Sequence, residues 1–496
     1  MSNELRERFS SDRRLAFLPD VMAGIRNGEW FVVGGAVRDA MLGRPVNDID
    51  LVVRNVRLER LEEFLSKRGS VAVVGRSFGV LKFRPKGVKG EIDIAWPRTE
   101  RAGGSGAYRD FEISTDATLP LEDDLARRDF TINAMALNLA DGRLVDPFGG
   151  RADLERKVIR AVGEPDLRLA EDYSRMLRGI RFSCELGFEI EASTWQAICR
   201  LMPRIDDTRR RDDGEEERIV PFEVIAKEWI KAATADPVRC LQLYESSGAL
   251  PRLVPELALM SGCKQSPNHH SEGDAWTHTK MAVTALASPE FAEFFPGQRP
   301  SAETFFATLF HDIAKPLTAR ERDGKITFYG HSEVGATLAK KIANRLKLSN
   351  YAKGGIDPDR LSWLLHMHLF PNMVQLDEVR RTTLVKHFLS DRAAGRELLH
   401  LAFADASASV PEGGRPDLST LRRLVDTLGE LERQLAEQAE NPAKAVTGND
   451  VMAATGIGPG PDIGRILDLV REAQLRGEIK TPEDAKKFLR EVHPKK

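Results

Sequence analysis

Little in this chain is extreme, and what is scarce narrows the choices first. Among 496 residues there are only 4 cysteines, Cys184, Cys199, Cys240 and Cys263, far apart and with no C-x-x-C pair. That spacing excludes a disulfide framework and a thiolate zinc site. No charge of one sign dominates: 73 Lys+Arg against 75 Asp+Glu leave a net charge of −2. There is then no global basic field to attract nucleic acid, and any such site must be local. No apolar run approaches the roughly 18 residues of a membrane span, and the opening MSNELRERFSSDRRLAFLPD is charged, without a signal-type apolar segment. The expectation is a cytoplasmic protein with no membrane partner. A composition of 42% hydrophobic and 30% charged residues excludes the disordered, collagen-like and coiled-coil classes. At roughly 150 residues per domain, the length predicts about three domains.

Secondary-structure signals divide the chain. From about residue 30 to 165, short β-branched runs (FVV at 31, DLVV at 50, VAVV at 71, EIDIAW at 91) alternate with helical stretches. Beyond Pro165 the strand signals fade, and apolar residues recur at helical spacing, as in Leu169, Tyr173, Met176, Leu177 and Ile180. The charge-dense DDTRRRDDGEEER at 206–218 reads as an exposed loop. The expected class is α+β, with a mixed-sheet head at 1–165, a helical neck at 166–270, a helical body at 271–415 and a helical tail at 416–496.

The head carries the first chemistry. FVVGGAVRDAMLGRPVNDIDLVV (31–53) reads as strand, glycine turn, helix, turn, strand. Gly34 and Gly35 open the helix, where absent side chains let backbone N–H groups approach phosphate, and Arg38 follows one turn in. Asp48 and Asp50 flank Ile49, so a strand's period of two puts both carboxylates on one face. In EIDIAW, Asp93 and Glu91 alternate with Ile92 and Ile94 in the same way. Asp48, Asp50 and Asp93 together would suit two Mg²⁺ ions, one activating an attacking hydroxyl and one steadying a leaving pyrophosphate. A D-x-D alone is as easily an exposed strand end.

The strand, the paired glycines, V-R-D, L-G and D-I-D in this order resemble the nucleotidyltransferase signature of the tRNA CCA-adding enzyme and bacterial poly(A) polymerase family, a class II branch of the polymerase-β-like superfamily. LEDDLARRDFTINAMAL (121–137), with Arg127, Arg128, Asp129 and Asn133, resembles that family's second motif, LVDPFGGRADLERKVIRAVG (144–163) its third, and AEDYSRMLRGIRF (170–182) its base-reading helix. The resemblance implies a polymerase-β-like head, tRNA as partner, CTP and ATP as substrates, and template-independent addition of CCA. It also implies a ribose contact for Asp129 and Asn133, which on spacing alone could equally be structural.

Base choice can be argued from chemistry. Asp172 and Arg175, three apart on an expected helix, offer an acceptor beside a donor. Cytosine and adenine present an amine beside a ring-nitrogen acceptor, whereas uracil and guanine present the reverse. Arg178 and Arg181 continue that face and, with Arg38 and Arg128, are candidate triphosphate ligands. The alternative is a solvated ion-pair face. Between Asp93 and the second motif, PRTERAGGSGAYRDFEISTDATLP reads as a mobile Gly/Ser-rich loop. The family resemblance implies that it switches the pocket from CTP to ATP, and its length disfavours a CC-only enzyme.

The body carries a second pattern. WTHTKMAVTAL, FFATLFHDIAKPLT, FYGHSEVGATLAKKI, WLLHMHLF and LHLAFADASAS resemble the HD-domain metal-dependent phosphohydrolases. His278, His311, Asp312 and Asp405 match the four-ligand pattern, while His331, His366 and His368 could hold a second metal or a phosphate, with His331 and His366 as the candidate ligands; His269 and His270 lie just upstream. Imidazole and carboxylate donors suit Ni²⁺, Mn²⁺, Co²⁺ or Fe²⁺. The implied activities are phosphatase and 2′,3′-cyclic phosphodiesterase. The tail, 446–489, resembles the C-terminal segment of HD-containing CCA-adding enzymes, and its GIGPGPDIG turn reads either as a tRNA-elbow contact or as ordinary helix packing.

The rival readings are an A-adding enzyme, a poly(A) polymerase, an HD phosphohydrolase with an inactive head, and a non-catalytic RNA-binding module. A monomer and a homodimer are both compatible with the sequence, and residues 206–270 match nothing specific.

Overall fold

The β-branched runs of the head become strands because each can bury apolar side chains on a shared sheet. In a computed structural model that describes residues 2–74, 80–107, 110–211, 213–266, 268, 270–323, 325–440, 446–479 and 481–492, they are β1 (Glu29–Val33), β2 (Asp50–Arg54), β3 (Gly69–Val74), β4 (Val80–Pro85) and β5 (Ile92–Ala95). A hairpin, β6 (Arg98–Ala102) and β7 (Phe111–Thr115), follows, then β8 (Ala136–Asn138) and β9 (Leu144–Val145). The main sheet is seven-stranded, in the order β3-β4-β5-β2-β1-β8-β9. It is mixed: β2 and β5 run parallel, and the other neighbours are antiparallel.

β1 is apolar on both faces because both are covered. Trp30 and Val32 enter one core, with Ile92, Ile94 and Phe83, while Phe31 and Val33 enter another, with Leu121, Leu125 and Ala136. β5 is one-sided: Ile92 and Ile94 are buried, which turns Asp93 outward. Val33 pairs with Asp50, and Asp50 pairs with Asp93. The glycine turn after β1 and the carboxylates of β2 and β5 therefore meet at one end of the sheet.

The chain divides into two compact units, Met1–Leu253 and Val254–Lys496. In the first, helices Ser174–Leu186, Ala192–Leu201, Phe222–Ala235 and Pro237–Ser246 follow the sheet. Trp229 stacks on Tyr244 at 4.7 Å. The stretch at 206–218 is not a loop: Thr208–Arg210 pairs with Glu216–Arg218 in an antiparallel hairpin. Cross-strand charge explains what the apolar pattern could not, since Arg209 lies 2.6 Å from Glu217.

Among its described residues, the second unit is helical apart from a small hairpin, Arg320–Arg322 with Lys325–Thr327. Its helices begin where side chains satisfy free N–H groups: Asp274 accepts from Thr277 N at 2.8 Å, Ser301 from Thr304 N at 3.0 Å and Asp391 from Ala393 N at 3.0 Å. Tail helices Gly448–Thr455, Pro461–Leu475 and Pro482–Val492 enclose a separate small core of Val451, Ile466, Val470 and Leu489. Among the described residues, no helix is long and apolar enough to cross a membrane.

Candidate active site and metal centre

A cavity of about 1100 Å³ opens in the first unit where the glycine turn, the strand ends and helix Ser174–Leu186 meet. Asp48 and Asp50 line its wall, and Asp93 is the in-register neighbour of Asp50. Asp48 and Asp50 are solvent-accessible and Asp93 is half-buried. Lys82, opposite Asp93 on β4, holds it at 3.0 Å and Glu91 at 2.9 Å. Crowding by the walls pushes the Asp50 carboxyl up; Asp93 and Asp48 add to this, and Arg128 and Lys82 oppose it. An oxygen-only set of this kind suits a hard divalent ion.

Beside the carboxylates runs a connected set of side chains. Arg38 donates to Asn133 Oδ1 at 2.7 Å, Asn133 donates to Asp129 Oδ1 at 3.2 Å, and Arg178 closes on Asp129 Oδ2 at 2.6 Å. Burial works against ionisation of Asp129, but Arg178 wins and lowers it to about 2. Asp129 and Asn133 do not share a helix: a helix ends at Ala126, a 3₁₀ turn spans Thr131–Asn133, and Asp129 sits between them. Arg128 bonds Asp124 Oδ2 at 3.2 Å and the carbonyl of Asn133 at 3.3 Å. Gly34 has φ of 71°, so the backbone favours glycine there; a Cβ would come within 2.5 Å of Arg128 Nη1 and displace that guanidinium.

The expected base readers both line the cavity, with altered local structure. The helix begins at Ser174, and Asp172 precedes it, accepting from Ser174 N at 2.8 Å. The EDYSR spacing therefore describes a capping aspartate and a first-turn arginine, not two residues on one helix face. Arg175 is held by Glu171 at 2.7 Å and by the carbonyls of Arg168 and Arg127 at 2.9 Å and 3.1 Å. Arg181, expected at the triphosphate, is bonded at 2.5 Å to Glu228 and at 2.6 Å to Glu185, with its guanidinium over Phe182.

The stretch expected as a mobile loop is the β6–β7 hairpin, with Tyr108 and Arg109 outside the described residues. Glu100 in it bonds Arg127 at 2.7 Å, and Arg127 bonds the buried Asp124 at 2.7 Å. The sequence reading missed Asp124, although its i+3 and i+4 spacing to Arg127 and Arg128 was visible. Lys227 and Lys231, which also line the cavity, gave no such signal. Three of the arginines at 204–211 are charge-paired within the same stretch: Arg204 with Asp207, Arg209 with Glu217 and Arg211 with Asp213.

In the second unit, imidazoles from separate helices converge. His278 Nε2 lies 3.1 Å from Asp405 Oδ1 and 3.3 Å from His311 Nε2, and His311 Nε2 lies 3.2 Å from Asp312 Oδ2. On the other side of Asp312, His331 Nε2 is 3.6 Å from Oδ1 and 3.3 Å from His368 Nε2. The outer nitrogens decide the tautomers. Nδ1 of His311, His331 and His368 faces the carbonyls of Thr308, Phe328 and Leu365 at 2.8, 2.9 and 2.5 Å. A carbonyl only accepts, so each Nδ1 carries the proton and each Nε2 aims a lone pair inward. Burial alone would lower the His278 imidazole, yet Asp405 and Glu272 push it up to about 9, the mark of a position that wants positive charge. The donor set fits one or two transition-metal ions sharing Asp312.

His366 is exposed, whereas His368, two residues on, is buried in the cluster. Two residues turn a helix by roughly 200°, so the two histidines of H-M-H face opposite ways. His269 lies outside the described residues. Sequence reasoning missed Glu272 and Lys315. Lys315 is buried, 2.7 Å from Asp312 and 2.6 Å from Gln265, and three residues from Asp312 the pairing was legible. Glu272 had no legible partner.

Comparisons with known proteins match segments of both units. The model of the Poly A polymerase head domain matches residues 30–160, and that of the HD domain matches residues 280–408. The chain is 38% identical over 326 residues to the multifunctional CCA protein of Halorhodospira halophila, covering 64% of this chain and 69% of that protein. It is 35% identical over 378 residues to the A-adding tRNA nucleotidyltransferase of Deinococcus radiodurans, covering 74% and 79%. In fold it is similar to the Bacillus stearothermophilus CCA-adding enzyme in complex with CTP, with a TM-score of 0.57, 23% identity and 97% and 98% coverage of the two chains. It is similar too to the Thermotoga maritima CCA-adding enzyme complexed with tRNA, with a TM-score of 0.57, 21% identity and 99% and 98% coverage.

Proposed function

The chain belongs to the tRNA nucleotidyltransferase family that includes the multifunctional CCA proteins, and from that premise we propose that its head adds C, C and A in turn to tRNA 3′ ends, from CTP and ATP and without a template. The observation that carries this reading is the in-register pair Asp50 and Asp93 beside a cavity that also contains Asp172 and Arg175. The tRNA 3′-hydroxyl attacks the α-phosphate and pyrophosphate leaves, with no protein nucleophile. Asp48, Asp50 and Asp93 would hold Mg²⁺, which supplies the charge that offsets the attacking and leaving oxygens. Arg38 and Arg128 bind the triphosphate, near the glycine turn that Gly34 and Gly35 keep open. Asp129 and Asn133, braced by Arg178 and Arg38, receive the ribose.

Base choice rests on Asp172 and Arg175. One oxygen of Asp172 is used by Ser174 N, leaving the other for an exocyclic amine. Arg175, fixed by its three acceptors, donates to the ring nitrogen. Uracil and guanine would set like groups against like, and buried unpaired polar groups make that costly. The full-length β6–β7 segment favours a complete CCA over CC alone. Incubation with a tRNA ending at the discriminator base and CTP alone, then with CTP and ATP, tests the reading. Two additions followed by a third support it; a single A added only to tRNA already ending in CC identifies an A-adding enzyme, the specialty named for the Deinococcus relative.

For the second unit we propose a metal-dependent phosphohydrolase, a phosphatase or 2′,3′-cyclic phosphodiesterase. Four inward-facing Nε2 atoms around Asp312 support it. His278, His311, Asp312 and Asp405 would hold Ni²⁺, Mn²⁺, Co²⁺ or Fe²⁺, with His331 and His368 at a second position. Such an ion supplies Lewis acidity toward a phosphate oxygen. Lys315 lies 2.7 Å from Asp312 Oδ2, the oxygen that also faces His311 Nε2.

A further inference from the structure

Three of the four inward imidazoles are oriented in the ordinary way, by a backbone carbonyl three residues earlier on their own segment. His278 is not. Its Nδ1 meets the carboxylate of Glu272 at 2.8 Å. The same oxygen receives His270 Nδ1 at 2.7 Å, and the other oxygen accepts from Val410 N at 3.1 Å. The side chain is 2% exposed. Ser271 N donates to Val410 O at 2.7 Å, so the segment bearing Glu272 is laced to the chain just beyond Asp405.

That arrangement joins two things that nothing local would join. His278 and Asp405 are 127 residues apart, yet meet at 3.1 Å on the metal-facing side. Glu272 touches the back of one and, through Val410, the end of the helix that carries the other, Arg392–Ala408. Resting on the metal reading of the second unit, we infer that Glu272 is a positioning residue that clamps His278 and Asp405 into one ligand pair without itself touching the ion. A carboxylate behind a ligating imidazole fixes its ring and raises its donor strength. A carbonyl fixes the ring but adds less charge. The half of the cluster built on His278, His311 and Asp405 is therefore the tighter one and fills before the half built on His331 and His368.

Titration of the full-length protein with Co²⁺, followed by absorption spectroscopy and by metal content after gel filtration, tests this. The wild type should fill in two steps. Glu272→Ala should weaken the first step by about 10- to 100-fold, the usual cost of losing such a partner, while the second step keeps its midpoint. Glu272→Gln, which retains an acceptor oxygen for His278 but no charge, should fall between the two and, once loaded, show the wild-type Co²⁺ spectrum because the ligands are unchanged. Far-UV circular dichroism and a melting curve of the full-length protein serve as the folding control for both variants. Wild-type affinity in Glu272→Ala overturns the clamp, and a changed spectrum in loaded Glu272→Gln overturns it in favour of Glu272 as a direct ligand. A wild-type protein that takes up no Co²⁺ overturns the metal reading itself, a failure visible without any variant.

Discussion

Asp50 and Asp93 stand opposite each other in register across the one parallel pair in the head's seven-stranded sheet, β2 with β5. Parallel pairing places two strand carboxylates on one side of the sheet at neighbouring height, which a two-ion site needs. Asp50→Asn should lower the rate of nucleotide addition by at least about 10³-fold, the scale of a charge acting directly at the reacting centre. Thermal stability should change little, because the side chain lies at an exposed strand start. Single-turnover CTP incorporation with a melting curve checks both, and retained incorporation would contradict the carboxylate assignment.

Arg175→Ala should relax base choice. A site built to pair a specific donor rejects the wrong partner by orders of magnitude, and removing one half should erode discrimination against UTP and GTP by about 10²-fold or more. Competition between CTP and UTP on one tRNA measures this directly. Unchanged rejection of UTP would move the selection to other side chains.

Much of this was legible in the residues, and the failures share a cause. Alternation around Ile92 and Ile94 was enough to turn Asp93 outward, because a strand's period is fixed by its backbone. That Asp93 lies beside Asp50 depends on a crossover pairing which no local pattern encodes. The two stretches read as loops, 97–120 and 206–218, contain hairpins; the strands of the second are polar on both faces and are held by cross-strand ion pairs such as Arg209 with Glu217, which leave no apolar signature. Asp172 read as helical because its spacing to Arg175 is helical, but its side chain competes for the backbone, accepting from Ser174 N, and the helix starts only two residues later. Glu272 was invisible, since its meaning comes from His278 and Val410 on different segments.

The H-M-H pair gives a sharp contrast. His368→Ala should reduce Co²⁺ stoichiometry and phosphohydrolase activity, while His366→Ala, on the exposed side of the same helix, should leave both unchanged. His311→Ala should abolish hydrolysis and leave CCA addition intact. Metal content measured beside both activities checks all three, and loss of metal in His366→Ala would contradict the cluster described here.

A pH dependence follows from a pair of glutamates away from either site. Burial, with the neighbouring Glu397 anion, pushes Glu303 up to about 7 from an ordinary 4.5, although Arg360 stands 3.6 Å away. A raised folded-state value means the folded protein binds that proton more tightly. The resulting stability is fully present below about pH 4.5 and is lost as pH rises through about 7. Glu303→Gln has no proton to lose, so relative to wild type it should gain about 1–3 kcal/mol between pH 5 and pH 8. Urea midpoints of both proteins at the two pH values test it, and a difference independent of pH would contradict the shift.

The most direct test of the central claim is to sequence the 3′ ends of a tRNA lacking CCA after incubation with the pure protein, Mg²⁺ and all four nucleoside triphosphates. Ends that stop uniformly at CCA, with no U or G incorporated, are the predicted result. Ends that remain unextended, or that grow into runs of A, would contradict it.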